Sequence, residues 1–350
     1  MRQVLVLIHA HTRASDGTRD AGAIARLAAR AGVEVVALTD HDVLSPGAGY
    51  WDGVLVLAGQ EISPRHNHVL ALGQDETLPL PERDGLAGEL ARGLDSARRA
   101  GAWAALAHPL DPPITGLSSS KAYVAEDFSR LDDCPGLELW NCLSAFKTDL
   151  SSPLAALARL CMPKTFLPGP HPLLLALWDS QGRRRAWPAL GGADAHGFGT
   201  GRWWLPLKVF SYRRHLDLIL TGLWLKGELS GDWRQDLALV KEALAAGRAF
   251  LCLGRAKGFD CRLRGPSGEE HWPGLELPWR SGFSLEATLP AWGRARLLRN
   301  GRLVASGLGR RFAWNLEGPG VWRVEASRLR PPAGWRPWIY CNPFYLRGEA

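Results

Sequence analysis

Across the first two hundred residues, short apolar runs repeatedly end in a histidine or a carboxylate, with helical patterns between them. Residues 4–8 run into His9, residues 33–38 into Thr39-Asp40-His41, residues 54–57 toward Glu61 and residues 103–107 into His108. Residues 189–193 deliver Asp194, while His68 opens the run 69–72. In the intervals, residues 20–31 place Ile24, Leu27, Ala28 and Ala31 at helical spacing ahead of Gly32, and residues 86–100 form a second helical pattern ahead of Gly101. Strands alternating with helices predict a mostly parallel sheet, and many such units closing on themselves predict a β/α barrel. Active sites of such barrels lie at the C-terminal strand ends. The histidines and carboxylates occupy those positions.

Residues 137–140 continue the series as a strand, and residues 153–160 and 173–178 read as helices. Beyond Phe210, residues 216–225 and 236–246 carry helical spacing, and residues 247–254 read as a turn into a strand. From about Lys257 the chain changes to short alternating segments punctuated by Gly, Pro and Trp, the texture of a small antiparallel β-sandwich. Asn300-Gly301 within it marks a tight hairpin. The expected division is an α/β domain over residues 1–255 and a sandwich-like accessory domain over residues 256–350, which suits the length of 350 residues.

A hydrophobic content of 46% is sufficient to fill two cores and excludes a disordered chain. No apolar run approaches the roughly 18 residues of a membrane span, and no leader segment is visible, so the expected compartment is the cytoplasm. The six cysteines form no C-x-x-C pair and suit reduced thiols. A net charge of +7 fits anionic substrates in general and is compatible with nucleic acid. The arginines are spread along the chain, with no basic run beyond Arg183-Arg184-Arg185, so net charge alone establishes neither partner. Nothing in the sequence specifies an oligomeric state.

Neutral imidazole and carboxylate are standard ligands for zinc, manganese and iron, and six of the ten histidines belong to the strand-end series. His9 and His11, separated by one residue in extended chain, point the same way and can chelate one ion. Asp16 in Ser15-Asp16-Gly17 and His196 in Asp194-Ala195-His196 enlarge the set. His66 competes with His68 for the same strand face, and Asp40 and Asp42 read as groups that orient His41 or a neighbouring water. His171, His215 and His271 fall outside the motifs. Glu138 and Asn141, flanking Trp140, either line the site or make ordinary loop hydrogen bonds.

Taken together, His9-Ala10-His11-Thr12, Thr39-Asp40-His41-Asp42, Gly59-Gln60-Glu61-Ile62-Ser63, His68-Val69-Leu70, Ala107-His108-Pro109 and Gly192-Ala193-Asp194-Ala195-His196 resemble the polymerase and histidinol phosphatase (PHP) family, over about residues 3 to 200. The resemblance implies a distorted seven-stranded β/α barrel, a trinuclear metal centre and phosphoesterase activity. It implies that His9, His11, Glu61 and Asp194 hold a first ion; that bridging Glu61, with His68 and His108, holds a second; and that Asp16, His41 and His196 hold a third. The three divalent ions are zinc, manganese or iron.

Trp178-Asp179 and the C-terminal Asn342-Pro343-Phe344-Tyr345 look like the CehA/McbA-type hydrolases of the same superfamily, whose substrates extend to other ester or amide-like bonds. The expected activity is hydrolysis of a small phosphorylated metabolite or nucleotide by a metal-bridging hydroxide, with Glu61, Asp194 and His196 as catalytic residues. Arg13 and Arg202, close in sequence to ligand motifs, are candidates to grip phosphate, with solvated surface roles as the alternative. Cleavage of a non-phosphate ester, carbamate or amide is a second hydrolytic reading, and a non-catalytic interaction module is a third.

Overall fold

The computed structural model describes residues 1–64, 67–81, 86–112, 123–124, 131–150, 152–197 and 210–348. It is a mixed α/β fold built around one large sheet. The strand Arg2–Ala10 pairs in parallel with Val35–His41, which pairs in parallel with Val54–Ile62. Direction then alternates, because Val69–Leu72 is antiparallel to Val54–Ile62 and to Trp103–Leu106. Trp103–Leu106, Leu137–Asn141 and Ala189–Gly192 follow in parallel. Just beyond the last of these, Ala195 forms a parallel bridge with Ala10, and the amide of Ala193 donates to the Ile8 carbonyl. This return brings the ends of the first and last strands together.

These strands are buried on both faces, as in Arg2–Ala10 and Val54–Ile62. Such double burial produces continuous apolar runs in place of alternation. The helix Ala21–Ala31 buries Ile24, Ala25 and Ala28. Its ends are set locally: the Asp20 carboxylate accepts from the Ala23 amide, and Gly32 adopts the left-handed conformation that closes the last turn.

One expectation is overturned on this side of the molecule. Residues 216–225 do not form a helix; Tyr212–His215 is a single helical turn, and Ile219–Leu225 is a strand antiparallel to both Arg2–Ala10 and Ala249–Leu253. Leu216, Ile219, Leu220, Leu223 and Trp224 mimic helical spacing. Every residue of the strand is buried, so both faces are filled and the period carries no information.

The sheet continues past residue 255. Ala249–Leu253 pairs with Trp335–Cys341, which leads through Gly320–Leu329 to Ser284–Arg299 and Arg302–Asn315. The last two form a long hairpin where the sequence showed only short segments. Asn300 and Gly301 both have positive φ at its turn, as the tight-hairpin signature requires. No helix among the described residues is long and apolar enough to cross a membrane.

Side chains from the C-terminal strands complete the strand that leads to Asp194. The Asn342 carboxamide accepts from the Ala189 amide at 2.9 Å and donates to the Ala189 carbonyl at 3.0 Å. Thr221 does the same for Gly191 with its hydroxyl. Nearby, buried Arg323 bridges Asp179 and Glu325, and Tyr345 bonds the backbone of Trp187. The Trp178-Asp179 and Asn342 to Tyr345 motifs thus tie the two halves of the sheet together.

Candidate metal centre

Glu61 lies at the middle of the site, fully buried at the end of Val54–Ile62. One carboxylate oxygen lies 2.8 Å from His68 Nδ1 and 2.9 Å from His108 Nε2. The other lies 3.1 Å from His9 Nε2, 3.2 Å from His41 Nδ1 and 3.4 Å from His11 Nε2. Asp194 Oδ1 stands 3.5 Å from each of His9 Nε2, His11 Nε2 and His196 Nδ1. Asp16 approaches His196 at 3.2 Å, His11 at 3.7 Å and His41 at 3.9 Å.

All nine residues expected as ligands therefore converge. They fall into four overlapping groups whose ligand atoms lie within 4.8 Å of one another: His11, Asp16, His41 and His196; His9, His11 and Glu61; His9, His108 and Asp194; and Glu61, His68 and His108. His11 thus reaches the group of Asp16, His41 and His196 as well as that of His9 and Glu61.

The backbone achieves this with unusual conformations. His9, His108 and Asp194 all have positive φ, at 66°, 23° and 50°. Such values are costly for residues other than glycine and concentrate at functional sites. At His9 the pairing register shifts between Ile8 and Ala10, which is a β-bulge. His9 and His11 are therefore brought together by the bulge, with ring centroids 5.2 Å apart, and not by simple extended-chain alternation.

A surrounding layer orients the ligands. Glu138, fully buried, accepts from His9 Nδ1 at 2.9 Å and from the His108 amide at 2.6 Å, leaving His9 Nε2 directed at Glu61. Gly192 makes this approach possible, since a Cβ there would stand 1.6 Å from the Glu138 carboxylate. Asn141 donates to Glu138 and reaches Asp194. Ser63 Oγ lies 2.7 Å from His41 Nδ1, so His41 Nε2 faces Asp16. Tyr212 donates its hydroxyl to the carbonyls of His11 or His196 and accepts from the Thr18 amide, linking three of the segments around the site.

Glu138 carried a signal in the sequence, a charge inside an apolar strand, and Ser63 stood in the Gly59 to Ser63 motif without a role of its own, whereas Tyr212 carried no signal. Asp40 does not orient His41. It accepts from the Thr12 amide, the Thr12 hydroxyl and Ser15, and so shapes the loop that carries Asp16. Asp42 accepts from the Ser63 amide. Arg13 is exposed and its guanidinium turns back to the Thr18 carbonyl. His66 and Arg202 lie outside the described residues.

The donor set fits divalent cations. His11 is fully buried, yet among the described residues neither of its ring nitrogens has a hydrogen-bond partner. Burial pushes its pKa down to about 4, so its imidazole is neutral at pH 7, the form that coordinates metal. Burial raises the pKa of Glu61 and of Asp194, but His9 and its neighbouring imidazoles outweigh it and hold both carboxyls well below their usual range. Burial lowers His9 and His108 in turn, but Glu138, followed by Asp194 and Glu61, lifts His9 well above the imidazole range, and Glu61 foremost lifts His108 to about 9. The cluster thus has carboxylates that demand positive charge. Asp16 and His41, with side chains 50% and 32% exposed, form its open side.

No protein-family model matches the sequence, and no curated protein matches it. Among solved structures, the chain is similar to a two-domain protein of Bacteroides vulgatus containing a predicted PHP-like metal-dependent phosphoesterase. The TM-score is 0.48 with 15% identity, covering 98% of this chain and 95% of that one. It is also similar to a Bifidobacterium adolescentis protein named a "putative metal-dependent phosphoesterase". There the TM-score is 0.34 with 17% identity, covering 57% of this chain and 89% of that one.

Proposed function

We propose that the chain is a metal-dependent phosphoesterase of PHP type that hydrolyses a small phosphorylated metabolite or nucleotide. The observation that carries this reading is the convergence of eight histidines and carboxylates from strand ends and adjoining loops around one buried carboxylate, Glu61. The proposal includes three divalent ions of zinc, manganese or iron: one held by His9, His11, Glu61 and Asp194, one by Glu61, His68 and His108, and one by Asp16, His41 and His196. It also includes a distorted seven-stranded barrel over residues 1–255, a sandwich over residues 256–350, a CehA/McbA-like affiliation and a cytoplasmic location.

Bound ions would supply Lewis-acid activation of water and neutralisation of charge on phosphoryl oxygens. The protein's own contribution is orientation and charge. Glu138 fixes the His9 tautomer, Asn141 steadies Asp194, and Ser63 steers His41. Substrate enters at the open side formed by Asp16 and His41, since Glu61, His9 and His11 are fully buried. Arg13 and Arg202 remain the proposed phosphate-gripping residues; Arg13 has to leave the Thr18 carbonyl to act.

The test is metal analysis of protein purified without chelator, followed by assay of manganese- or zinc-loaded protein on a phosphomonoester, a phosphodiester and a carboxyl-ester panel. Metal at two or more ions per chain with phosphoester turnover supports the reading. Turnover confined to carboxyl esters refutes the phosphoesterase reading, and protein that takes up well under one ion per chain and stays inactive after reconstitution refutes the metal centre.

A further inference from the structure

The positive charge of this chain is concentrated in its C-terminal sheet. Residues 291–340 contain ten arginines, two glutamates and neither lysine nor aspartate, a formal charge of +8 in a chain whose total is +7. A preference for arginine over lysine can come from coding bias, but a deficit of acids cannot. The same stretch holds five tryptophans.

Strand register places part of this charge on one open face. Arg294 stands opposite Leu308 and Ser327, and Arg296 opposite Ser306 and Glu325, so their side chains share a face. Arg310 follows Leu308 at the same parity on the edge strand. Trp335 and Trp292 close one end, with ring centroids 5.7 Å apart, and the Arg294 guanidinium lies 4.4 Å from the Trp335 ring centre. Arg294, Arg296 and Trp335, with Glu325 and Tyr340, line a groove of about 400 Å3, and Trp292 lies beside it. Arg296 approaches Glu325 only at 3.8 Å, and among the described residues Arg294 and Arg310 make no ion pair. Trp292 and Leu308 are more than half exposed.

We infer that this groove binds single-stranded nucleic acid. Guanidinium groups on a pleated face, that of Arg294 without an ion-pair partner among the described residues, track a phosphate backbone, and the rings of exposed Trp292 and half-buried Trp335 stack on bases that a duplex would keep covered. The groove floor also adjoins the metal centre's supporting wall. Tyr340 meets Trp140 edge-on at 5.4 Å, and Trp140 precedes Asn141 in the strand that carries Glu138. The inference does not depend on the metal-centre reading.

The test is fluorescence anisotropy of a labelled (dT)15 strand titrated with full-length protein in EDTA, which removes the metal centre from the measurement. Saturable binding at about 50 mM salt is expected, falling as salt rises. Arg294→Ala with Arg296→Ala should weaken it at least about tenfold and flatten the log–log salt slope by about 1.4, two phosphate contacts at about 0.7 each. Trp335→Ala should weaken binding about tenfold with the slope unchanged, because stacking carries no counterion release. Circular dichroism establishes that the variants are folded, and Arg294→Ala alone, a single change in the groove lining, serves if the double variant is not. Absence of saturable binding, equal affinity for a 15-base-pair duplex, variants indistinguishable from wild type, or binding to phosphatidylglycerol vesicles with none to the oligonucleotide would each overturn the inference. None of these outcomes bears on metal loading.

Discussion

Glu138→Gln tests whether the layer behind the ligands controls the centre. The wild-type carboxylate accepts from the His108 amide at 2.6 Å, from His9 Nδ1 at 2.9 Å and from Asn141 at 3.1 Å. Glutamine has one acceptor oxygen, so its NH2 group must oppose one of these N–H donors. A lost bond to a charged acceptor costs about 1.5–3 kcal/mol, and those that remain weaken once the charge is gone. With its oxygen kept on the side that serves both His9 and Asn141, the NH2 group faces the His108 amide, so much of the loss falls on the segment carrying His108, and metal affinity should drop about 10–100-fold.

Gly192→Ala should cause a similar loss by another route, since its new Cβ would stand 1.6 Å from the Glu138 carboxylate and displace it. The two effects share one main cause, so Gly192→Ala should do less harm in a Glu138→Ala background, where the remaining close contact of the methyl group is the His9 Cβ at 3.2 Å. The assay is chelator-competition titration with zinc or manganese across the four proteins of the Gly192→Ala and Glu138→Ala cycle, with Glu138→Gln alongside. A coupling of about 0.5–3 kcal/mol is expected. Wild-type affinity in Glu138→Gln, or additivity within about 0.5 kcal/mol, would refute the reasoning.

Glu61→Ala and Asp194→Ala should each abolish metal loading and turnover, read by elemental analysis and phosphoester assay, because each carboxylate borders two or more of the imidazoles. His215 is fully buried, and among the described residues neither ring nitrogen has a hydrogen-bond partner; burial lowers its pKa to about 4. The unfolded chain takes up this proton near pH 6.5 and the folded chain does not, so stability falls as pH drops from about 6.5 to 4, by up to about 3 kcal/mol. His215→Leu should flatten that limb of a urea-denaturation series. Asn342→Leu should leave the Ala189 amide and carbonyl unpaired, costing about 2–5 kcal/mol and lowering Tm, and it should reduce metal occupancy through the strand that leads to Asp194. Calorimetry with elemental analysis checks both effects.

The sequence located the ligands better than it explained them. Val69–Leu72 and the helix Ala21–Ala31 were legible because their signals are local: an apolar run of strand length, and the spacing of Ile24, Leu27, Ala28 and Ala31 with Gly32 closing the last turn. Most of the converging residues were legible because they sit at or near the end of an apolar run, whereas Asp16, in Ser15-Asp16-Gly17, was reached through the resemblance. The strand Ile219–Leu225 was not, since a strand buried on both faces loses the alternation that identifies it. Nor were the conformations at His9, His108 and Asp194, because His and Asp adopt a positive φ more readily than most residues but do so at few of their positions.

That gap shows how the ligand set depends on the rest of the fold. A histidine held in the left-handed region persists only when surrounding contacts outweigh its cost. At His9 those contacts are the Glu138 hydrogen bond and the Ala195 amide donated to its own carbonyl. Glu138 needs glycine at 192, and the strand carrying Gly192 has its backbone groups satisfied by Thr221 and Asn342, residues well separated from it in sequence. The polar residues of the first two hundred positions therefore name the centre, while its geometry is set partly by side chains beyond position 210. A fragment ending near residue 200 would retain every ligand and lack the Thr221 and Asn342 ties that hold the strand preceding Asp194.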